Sequence, residues 1–543
     1  MMRVKESGSQ TACHWISFAL SFRGTPVPSI GLLLALLPVI VILLLLTLRK
    51  SAADTAGMAG WLVAAVVAWL YFDTAPSLVL RASVAGILAS LPISIMVAAS
   101  ILQVTLMIET GAIGRVVVLI KQVATGSQVA QIMLVNMGFG TLLAALGATP
   151  VSILPPIMLA LGYSSFVSIA LPALGYDALC TYALLGVPVV VFSNFVGRPI
   201  GEVSWYFARF MPVMSSGIAL GMLFVVGRWT LLARGLVPAL AAGLVAGFVA
   251  IGMTAAGLVP ITGVVAGAAV ILAMLVYLKL TGRGIVDRSR VSADDLATER
   301  RMPLWRALSP WIILSLLAGI GNAPFLPVYE WTFSRLAMPV PVIPNAPPER
   351  LRVFAQAYFW ILVATALALP LLQPSRAALV TTVRKWWKRA PRPVWSATVF
   401  FAIAYVINHS GKAADGTLAG AGSNMVQVVA GAAASGFGSL YPLVAPYLGL
   451  LGGFLSGSES SAIAMLTAIH LSTAQQIGAA GLLVAAASGI GGGLASVISP
   501  AKLQNAAAAI DRIGEEAQVI GTVFWIAVAI TGVCAAMTLV WAF

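Results

Sequence analysis

The chain has 543 residues, of which 60% are hydrophobic and only 9% are charged, and its formal net charge is +14 at pH 7. Globular chains in water carry roughly 25% charged residues, so this composition excludes a soluble domain as the body of the protein. The excess of Lys and Arg is typical of the cytoplasmic loops of membrane proteins. It therefore does not indicate nucleic acid as a partner.

Apolar stretches of about 20 residues recur from Ile30 to the C-terminus, and each can cross a bilayer as a helix. Continuous apolar runs predict helices, because the strands of a membrane barrel would alternate. We therefore expect an all-α polytopic membrane protein with about 12 to 14 transmembrane helices, some of them re-entrant. The expected spans lie near 30–48, 59–72, 83–108, 129–146, 151–173, 177–196, 212–232, 236–257, 262–280, 307–328, 353–372, 394–408, 418–437, 439–455, 474–498 and 517–541.

The chain divides into four predicted parts. An N-terminal segment covers residues 1–29, and the following span lacks a convincing cleavage site, which predicts a retained helix rather than a signal peptide. The other predicted parts are a first membrane repeat (30–280), a cytoplasmic loop (281–306) and a second membrane half (307–543) with a basic cytoplasmic loop at 373–393.

The charges of the loops predict the orientation. Lys279–Arg306 carries seven basic and four acidic residues, and Arg376–Arg392 carries six basic residues and no acid. Both segments are predicted to face the cytoplasm, so the Pro-rich segment Tyr329–Arg352 between them should lie outside. Trp386 and Trp387 among the basic residues indicate an interfacial anchor, with a lipid or partner site as the alternative.

A weak internal repeat is visible in two nearly uncharged regions. Gly138–Pro150 interrupts an apolar region of the first half, and Gly186–Pro188 follows it. Ser456–Ser461 interrupts a comparable region of the second half, and Ile498–Pro500 follows. Paired interruptions predict inverted repeats with discontinuous helices. The alternative is that Gly and Pro are simply common in membrane helices.

A broken helix exposes backbone N–H groups and the positive end of its dipole, which suits a small anion. Freed carbonyl groups could serve a cation instead. We expect the interruptions of the two halves to meet near the middle of the bilayer. The predicted substrate-lining residues are Gly140, Thr141, Thr149, Pro150, Ser456, Gly457, Ser458, Ser460 and Ser461.

Glu459 is the most conspicuous residue of the chain. From Gly416 to Ala501, 86 residues contain this single charged side chain. Burial in an apolar medium favours a protonated carboxyl group, so Glu459 is the leading candidate for proton coupling. The alternative is a protonated glutamate that only hydrogen-bonds and holds the hairpin together.

Four other charged or titratable residues are candidates. His409 is a second coupling candidate because an unperturbed histidine titrates near physiological pH, and Asp177 is a third, between long uncharged stretches. Lys412 and Lys502 offer a positive charge for a substrate carboxylate. Lys412 could instead pair with Asp415 at a membrane surface.

Other classes of function lack their signatures. No phosphate-binding GxxxxGK[ST] loop is present, which argues against a nucleotide-driven pump. The three histidines, His14, His409 and His470, show no HExxH spacing, so no metal site is predicted. No enzyme and no cofactor are predicted either, although the spacing of the many serines leaves an intramembrane serine enzyme open as an alternative. His470 is interpreted as a satisfied packing residue. A channel stays as an alternative, although it would usually show rings of polar pore-lining residues.

The C-terminal third resembles the bacterial L-lactate permease family. The segments that carry this resemblance are Gly452–Ser461 (GGFLSGSESS), Thr473–Gly478 (TAQQIG), Leu483–Ala486 (LVAA) and Ile498–Pro500 (ISP). Weaker matches are Asn408–Gly411, Phe139–Gly140, Thr149–Val151 and Gly186–Pro188. The resemblance implies re-entrant hairpins and the import of lactate, glycolate or another 2-hydroxymonocarboxylate with a proton across the bacterial inner membrane.

The chain departs from the family pattern at charged positions. Ala144 and Ala145 stand where the first-half signature of the family has a glutamate. Ser496 replaces a lysine before the ISP element, while Lys502 follows it. The prediction is a divergent proton-coupled carboxylate symporter, with a sodium-coupled or exchange transporter of another organic anion as the alternative. The sequence leaves open whether the protein forms a homo-oligomer.

Overall fold

The computed structural model describes residues 29–49, 51–123, 126–288, 291–323, 325–419 and 424–543. The predicted N-terminal segment therefore lies outside the described residues, apart from its last position. Within the described ranges the regular secondary structure is helical except for one short antiparallel hairpin of strands β1 (Met338–Val340) and β2 (Glu349–Leu351). The predicted all-α polytopic fold is confirmed.

The first part of the chain, up to the basic loop, contains twelve α-helices among the described residues. They are α1 (Ser29–Thr47), α2 (Ala53–Leu70), α3 (Pro76–Glu109), α4 (Ala112–Gln122), α5 (Gln128–Ile132), α6 (Gly140–Ala145), α7 (Pro150–Ala160), α8 (Ser165–Asp177), α9 (Ala183–Val196), α10 (Ile200–Ala208), α11 (Met211–Ala255) and α12 (Thr262–Leu280). A π-helical segment, Met133–Phe139, joins α5 to α6, and 3₁₀ turns occupy Cys180–Tyr182 and Val259–Ile261.

The remaining described residues contain thirteen more α-helices. They are α13 (Ala293–Arg301), α14 (Leu304–Ala307), α15 (Ser309–Gly321), α16 (Pro327–Glu330), α17 (Ala357–Leu372), α18 (Arg376–Arg389), α19 (Pro391–Asn408), α20 (Met425–Phe437), α21 (Tyr441–Ser456), α22 (Glu459–Ile477), α23 (Gly481–Leu494), α24 (Pro500–Ala508) and α25 (Glu516–Trp541). Short π or 3₁₀ segments cover Trp331–Arg335, Val353–Ala355, Gly438–Leu440 and Ala495–Ile498.

The number of membrane crossings is close to the predicted range once α11 is divided. Nine helical segments of the described chain are long and apolar enough to span, or up to ten with α8 and α9 as one span bent by 66°. The 45-residue helix α11 reverses its direction at Gly227–Arg228, where the backbone is not helical. Its two parts pack against each other, since Gly243 lies against Ser216 and Gly247 against Pro212. It is therefore an antiparallel pair of helices, and four shorter apolar helices (α7, α15, α17 and α23) complete the set.

The same order of elements occurs in both halves. In the first half, α6, a break, α7, a turn at Gly162, α8, a second break and α9 follow one another. In the second half, α21, a break at Gly457, α22, a turn at Gly478, α23, a second break and α24 do the same. All three glycines have positive φ, a conformation in which a side chain would be strained. This agreement supports the predicted repeat.

One predicted span of the first half is wrong in its continuity. Residues 151–173 were expected to form a single crossing, but the chain turns at Leu161–Ser164 between α7 and α8. Gly162 has a φ of 92°, and the Ser164 hydroxyl caps α8 by accepting from Val167 N. With 11 and 13 residues, these helices are only about 16 and 20 Å long. Neither can cross a hydrocarbon core of about 30 Å by itself.

Close helix crossings bring the elements of the second half together. A Cβ atom on Gly449 would clash with Ser488 O, and one on Gly491 would clash with Pro446 O. Helices α21 and α23 therefore touch backbone to backbone. Small residues give membrane helices this contact, since lipid supplies no hydrophobic force between them.

Ion pairs and hydrogen bonds show which loops share a side. Lys385 of the 373–393 loop pairs with Glu109 at 2.6 Å, and Glu299 of the 281–306 loop pairs with Arg115 at 3.1 Å. Glu109 is the last residue of α3 and Arg115 lies in the first turn of α4, so both basic loops lie on one side of the fold. The strand hairpin contacts α19 at its other end, where the Tyr405 hydroxyl donates to the Glu349 carboxylate at 2.9 Å.

Candidate functional site

Glu459 is the first residue of α22 and is 3% exposed. The sequence produces this start locally: Gly457 ends α21 with a φ of 68°, and the Ser458 hydroxyl caps α22 by accepting from Ser461 N. The carboxyl group consequently lies at the positive end of a 19-residue helix.

The contacts of the Glu459 carboxyl group come from both halves of the chain. Thr181 in the break between α8 and α9 donates its hydroxyl to Oε1 at 2.7 Å. The Cys180 thiol hydrogen-bonds to the same carboxyl group. Oε2 faces Gly493 of α23, where a Cβ atom would lie only 2.7 Å away. The second half supplies the acid and the space for it, and the first half supplies its hydroxyl partner.

Asp177 is fully buried at the end of α8, and its Oδ2 accepts from Val497 N at 2.7 Å. Val497 belongs to the break between α23 and α24. A carboxylate of the first half therefore satisfies a backbone N–H that a continuous helix would have used internally. The second breaks of the two halves meet at this bond.

Lys502 brings a positive charge to the same place. Its Nζ lies 3.9 Å from the centre of the Tyr176 ring, next to Asp177 in the chain, and its charge acts on the Glu459 carboxyl group. Lys502 stands in the first turn of α24, whose preceding residue Ser499 lies against Gly457. Of the two lysines proposed for a substrate carboxylate, Lys502 therefore lies at the cluster around Glu459.

The predicted residues of Ser456–Ser461 lie together around this helix start. The Ser456 hydroxyl donates to Gly452 O at 2.9 Å and Ser460 is 5% exposed. Ser461 is fully buried, and its hydroxyl has no hydrogen-bond partner among the described residues. With Gly457 and Ser458, these side chains form the break itself.

The predicted first-half residues lie in and around the break between α6 and α7. Gly140 approaches the backbone of Gly175, two residues before Asp177, and the buried Thr141 hydroxyl has no partner within the described part of the chain. Thr149 is exposed and Pro150 begins α7. A direct meeting of Gly138–Pro150 with Ser456–Ser461 is expected from the sequence, whereas the first-half hydroxyl that binds the Glu459 carboxyl group is that of Thr181. The first-half helix that packs most extensively against α22 is α9, and Thr181 in the break between α8 and α9 contacts Glu459.

His409 and Lys412 form a separate site beyond the end of α19. Lys412 Nζ lies 3.0 Å from His409 Nδ1. Its partner is therefore His409 and not Asp415, the partner that the sequence offered as an alternative. Burial, helped by the Lys412 charge, lowers the pKa of His409 to about 3. The pKa of Lys412 is also lowered by burial. This surrounding favours a neutral imidazole at physiological pH.

His470 has a structural role in the described fold. The Tyr441 hydroxyl lies 2.7 Å from its Nδ1, and the Ser488 hydroxyl lies 2.7 Å from its Nε2. Both ring nitrogens are therefore engaged, and the three side chains join α21, α22 and α23. This agrees with its interpretation as a satisfied packing residue.

Sequence reasoning missed Thr181, Cys180 and Gly493 as parts of the site. A usable signal existed for Thr181, because it lies between Asp177 and the Gly186–Pro188 break. The structure marks the same region by backbone strain. Leu184 and Leu185, which follow Thr181, have φ values of 55° and 58°, and these values are strained for residues with a branched side chain. No pattern of the sequence marked Gly493, whose importance depends on the distant carboxyl group it faces.

Paired helix breaks around buried charges define a multi-pass membrane protein of the kind that binds small solutes between repeats. The sequence profile described as L-lactate permease matches residues 31–543. The chain therefore belongs to the L-lactate permease family, as the motifs predicted.

Individual relatives are distant but similar over most of their length. The L-lactate permease of Salmonella typhimurium (strain LT2) is 24% identical over 523 residues, which cover 89% of this chain and 91% of the relative. Glycolate permease GlcA of Escherichia coli (strain K12) is 24% identical over 548 residues, 91% and 92% of the two chains. Among solved structures, Neisseria gonorrhoeae MtrF aligns with a TM-score of 0.43 and 13% identity over 86% of this chain and 84% of that one, too weak a likeness to support an inference.

Proposed function

We propose that this protein is a secondary active transporter that imports lactate, glycolate or a related 2-hydroxymonocarboxylate together with a proton across the bacterial inner membrane. Membership of the family and the names of the lactate and glycolate permeases it resembles support the substrate class. The observation that carries the mechanism is the buried Glu459 carboxyl group, which begins a helix in one half and is held by Thr181 of the other.

The cluster can hold a small carboxylate at two helix starts. Helices α22 and α24 both begin here, and their N-terminal N–H groups and dipoles favour an anion. Lys502 adds a full positive charge, and the buried Ser461 hydroxyl can donate a further hydrogen bond. A carboxylate with a 2-hydroxyl group needs several donors that lie close together, which is what this arrangement offers.

Proton coupling follows from the charge of Glu459. When ionised, Glu459 repels a carboxylate and competes for the same helix dipole and for Lys502. When protonated, it leaves that positive field to the substrate and can itself donate a hydrogen bond. Protonation thus strengthens anion binding, and by linkage anion binding strengthens protonation. Substrate and proton then move together.

The test is uptake of labelled lactate and glycolate into proteoliposomes, with separately imposed proton and sodium gradients. The proposal expects saturable accumulation that follows the proton gradient and stops when a protonophore collapses it. Accumulation that follows only the sodium gradient would identify the sodium-coupled alternative, and exchange without any gradient would identify an exchanger. An unsaturable conductance would identify a channel.

Lys502 provides a second test at the level of affinity. We expect Lys502→Gln to raise the half-saturation concentration for lactate about tenfold, as for the loss of ~1.4 kcal/mol of binding. Lys502→Arg should restore part of this affinity, since it keeps the charge. An unchanged half-saturation concentration in Lys502→Gln, with normal folding, would exclude Lys502 as the carboxylate partner.

A further inference from the structure

Helix α18 has three distinct sides. Ser375 caps its start, since the hydroxyl accepts from Ala378 N at 3.1 Å. One side faces the protein: Trp386 Nε1 donates to Ala98 O at 2.8 Å, and Lys385 pairs with Glu109 at 2.6 Å. These contacts fasten α18 along the end of α3. The direction of its two other sides is therefore determined.

The second side of α18 is apolar and uncovered. Leu379, Val383 and Trp387 follow one another at intervals of four residues, which places them on one helix face. Val380 lies beside them, and it is 58% exposed while Trp387 is 70% exposed. In a membrane protein an apolar helix face of this kind lies in the acyl region of a leaflet.

The third side of α18 is cationic. Arg384 and Lys388 are exposed and lie four residues apart, adjacent to the apolar face. Among the described residues the ion pairs of this loop are Lys385–Glu109 and Arg392–Asp54, so neither of these two cations is used in one. The segment from 373 to 393 contains no acidic residue that would repel an anion.

The apolar and cationic sides meet in an open, shallow surface of α18, formed by Leu379, Val380, Val383 and Arg384. Its apolar part suits an acyl chain, and the guanidinium group at its edge suits a phosphate, which Arg binds through two parallel hydrogen bonds. A zwitterionic lipid would bring its own positive charge to the same edge.

We propose that α18 holds an anionic phospholipid of the leaflet in which it lies, with an acyl chain along Leu379, Val380 and Val383 and the headgroup phosphate at Arg384 and Lys388. The basic loop thus does more than orient the chain, because two of its charges lie beside an exposed apolar surface. Each such cation contributes about 1 kcal/mol of attraction to an anionic surface. This attraction weakens with added salt.

The experiment uses the whole protein in phosphatidylcholine vesicles that contain a trace of photoreactive phosphatidylglycerol or, in parallel, equally photoreactive phosphatidylcholine. Labelled peptides are mapped by mass spectrometry. We expect phosphatidylglycerol to label peptides within 376–389 more strongly than phosphatidylcholine does. The double variant R384Q/K388Q should lower this labelling by about fivefold for each charge removed.

Two control variants keep the result interpretable. R384K/K388R retains both charges and should keep the labelling, which separates loss of binding from loss of fold. Arg283→Gln removes an exposed charge elsewhere and should change nothing at α18. Equal labelling by both lipids would overturn the proposal, and so would labelling by neither, which would mean that a protein partner or water covers this face.

Discussion

The first helix breaks of the two halves have the same place in the order of elements but different chemistry. The break between α6 and α7 contains no ionisable side chain, and Gly147 there lies against Ser100 of α3. The break between α21 and α22 is followed at once by Glu459, whose carboxyl group is held from the other half. The buried acid that the structure describes in the first half, Asp177, comes instead at its second break.

This difference shows how a repeat can be symmetric in backbone and asymmetric in charge. Asp177 binds a backbone N–H of the opposite half and so fastens one unwound segment to another. Glu459 binds a hydroxyl and a thiol, groups that can accompany either protonation state. The two buried acids are therefore expected to differ in role, one holding the breaks together and the other exchanging a proton.

The largest expected effect separates the two acids. Glu459→Gln should keep the fold but reduce proton-driven accumulation of substrate by roughly tenfold or more, equivalent to ~1.4 kcal/mol of coupling. Asp177→Asn keeps an oxygen that can accept from Val497 N, so it should retain proton dependence while weakening uptake. The readout is accumulation as a function of the imposed pH difference. Unaltered proton dependence in Glu459→Gln would remove Glu459 from the coupling role.

The second effect concerns the space beside Glu459. Gly493→Ala places a methyl group 2.7 Å from Oε2, which must displace the carboxyl group or the helix, at a cost of about 1–3 kcal/mol. Gly436→Ala is the matched control, because its added methyl group meets nothing within 4 Å. We expect lower thermal stability and weaker uptake in Gly493→Ala alone. Equal behaviour of the two variants would show that the carboxyl group does not depend on this contact.

The third effect concerns the partner from the first half. Thr181→Val removes the hydroxyl that donates to Glu459. The free energy of unfolding should fall by about 1–2 kcal/mol, because a buried acceptor loses its donor. Thr181→Ser keeps the hydroxyl and should retain most activity. The pH profile of uptake should change in Thr181→Val and stay similar in Thr181→Ser. If both variants had the pH profile of the wild type, a positioning role of Thr181 would be excluded.

The fourth effect lies outside the cluster, at His409, and concerns folding stability rather than transport. Its pKa of about 3 in the folded protein lies below the ordinary value near 6.5. The unfolded chain therefore takes up the proton first as the pH falls. The free energy of unfolding should therefore be about 2 kcal/mol lower at pH 5 than above pH 6.5. Melting temperatures at pH 7 and pH 5 should differ less in His409→Gln than in wild type. The control Asp415→Asn, at an exposed position, should show the same difference as wild type.

Much of the fold and part of the candidate site could be predicted from the sequence. Long apolar runs identified the membrane helices, since no other structure satisfies the backbone in lipid. The lone acid in an uncharged stretch marked Glu459, and Gly, Ser and Pro marked the breaks, because these residues end helices through local geometry. Each of the motifs that identified the family lies within one short segment of the chain. All of these signals are local in the chain.

Tertiary structure alone decided which breaks meet. The sequence suggested that Gly138–Pro150 would face Ser456–Ser461, yet the bend after Asp177 carries Thr181 to Glu459. The same packing decided which lysine joins the cluster and that Gly493 must lack a side chain. These contacts join residues far apart in the chain, and the path of a helix after a bend depends on everything it packs against. No local pattern contains that information.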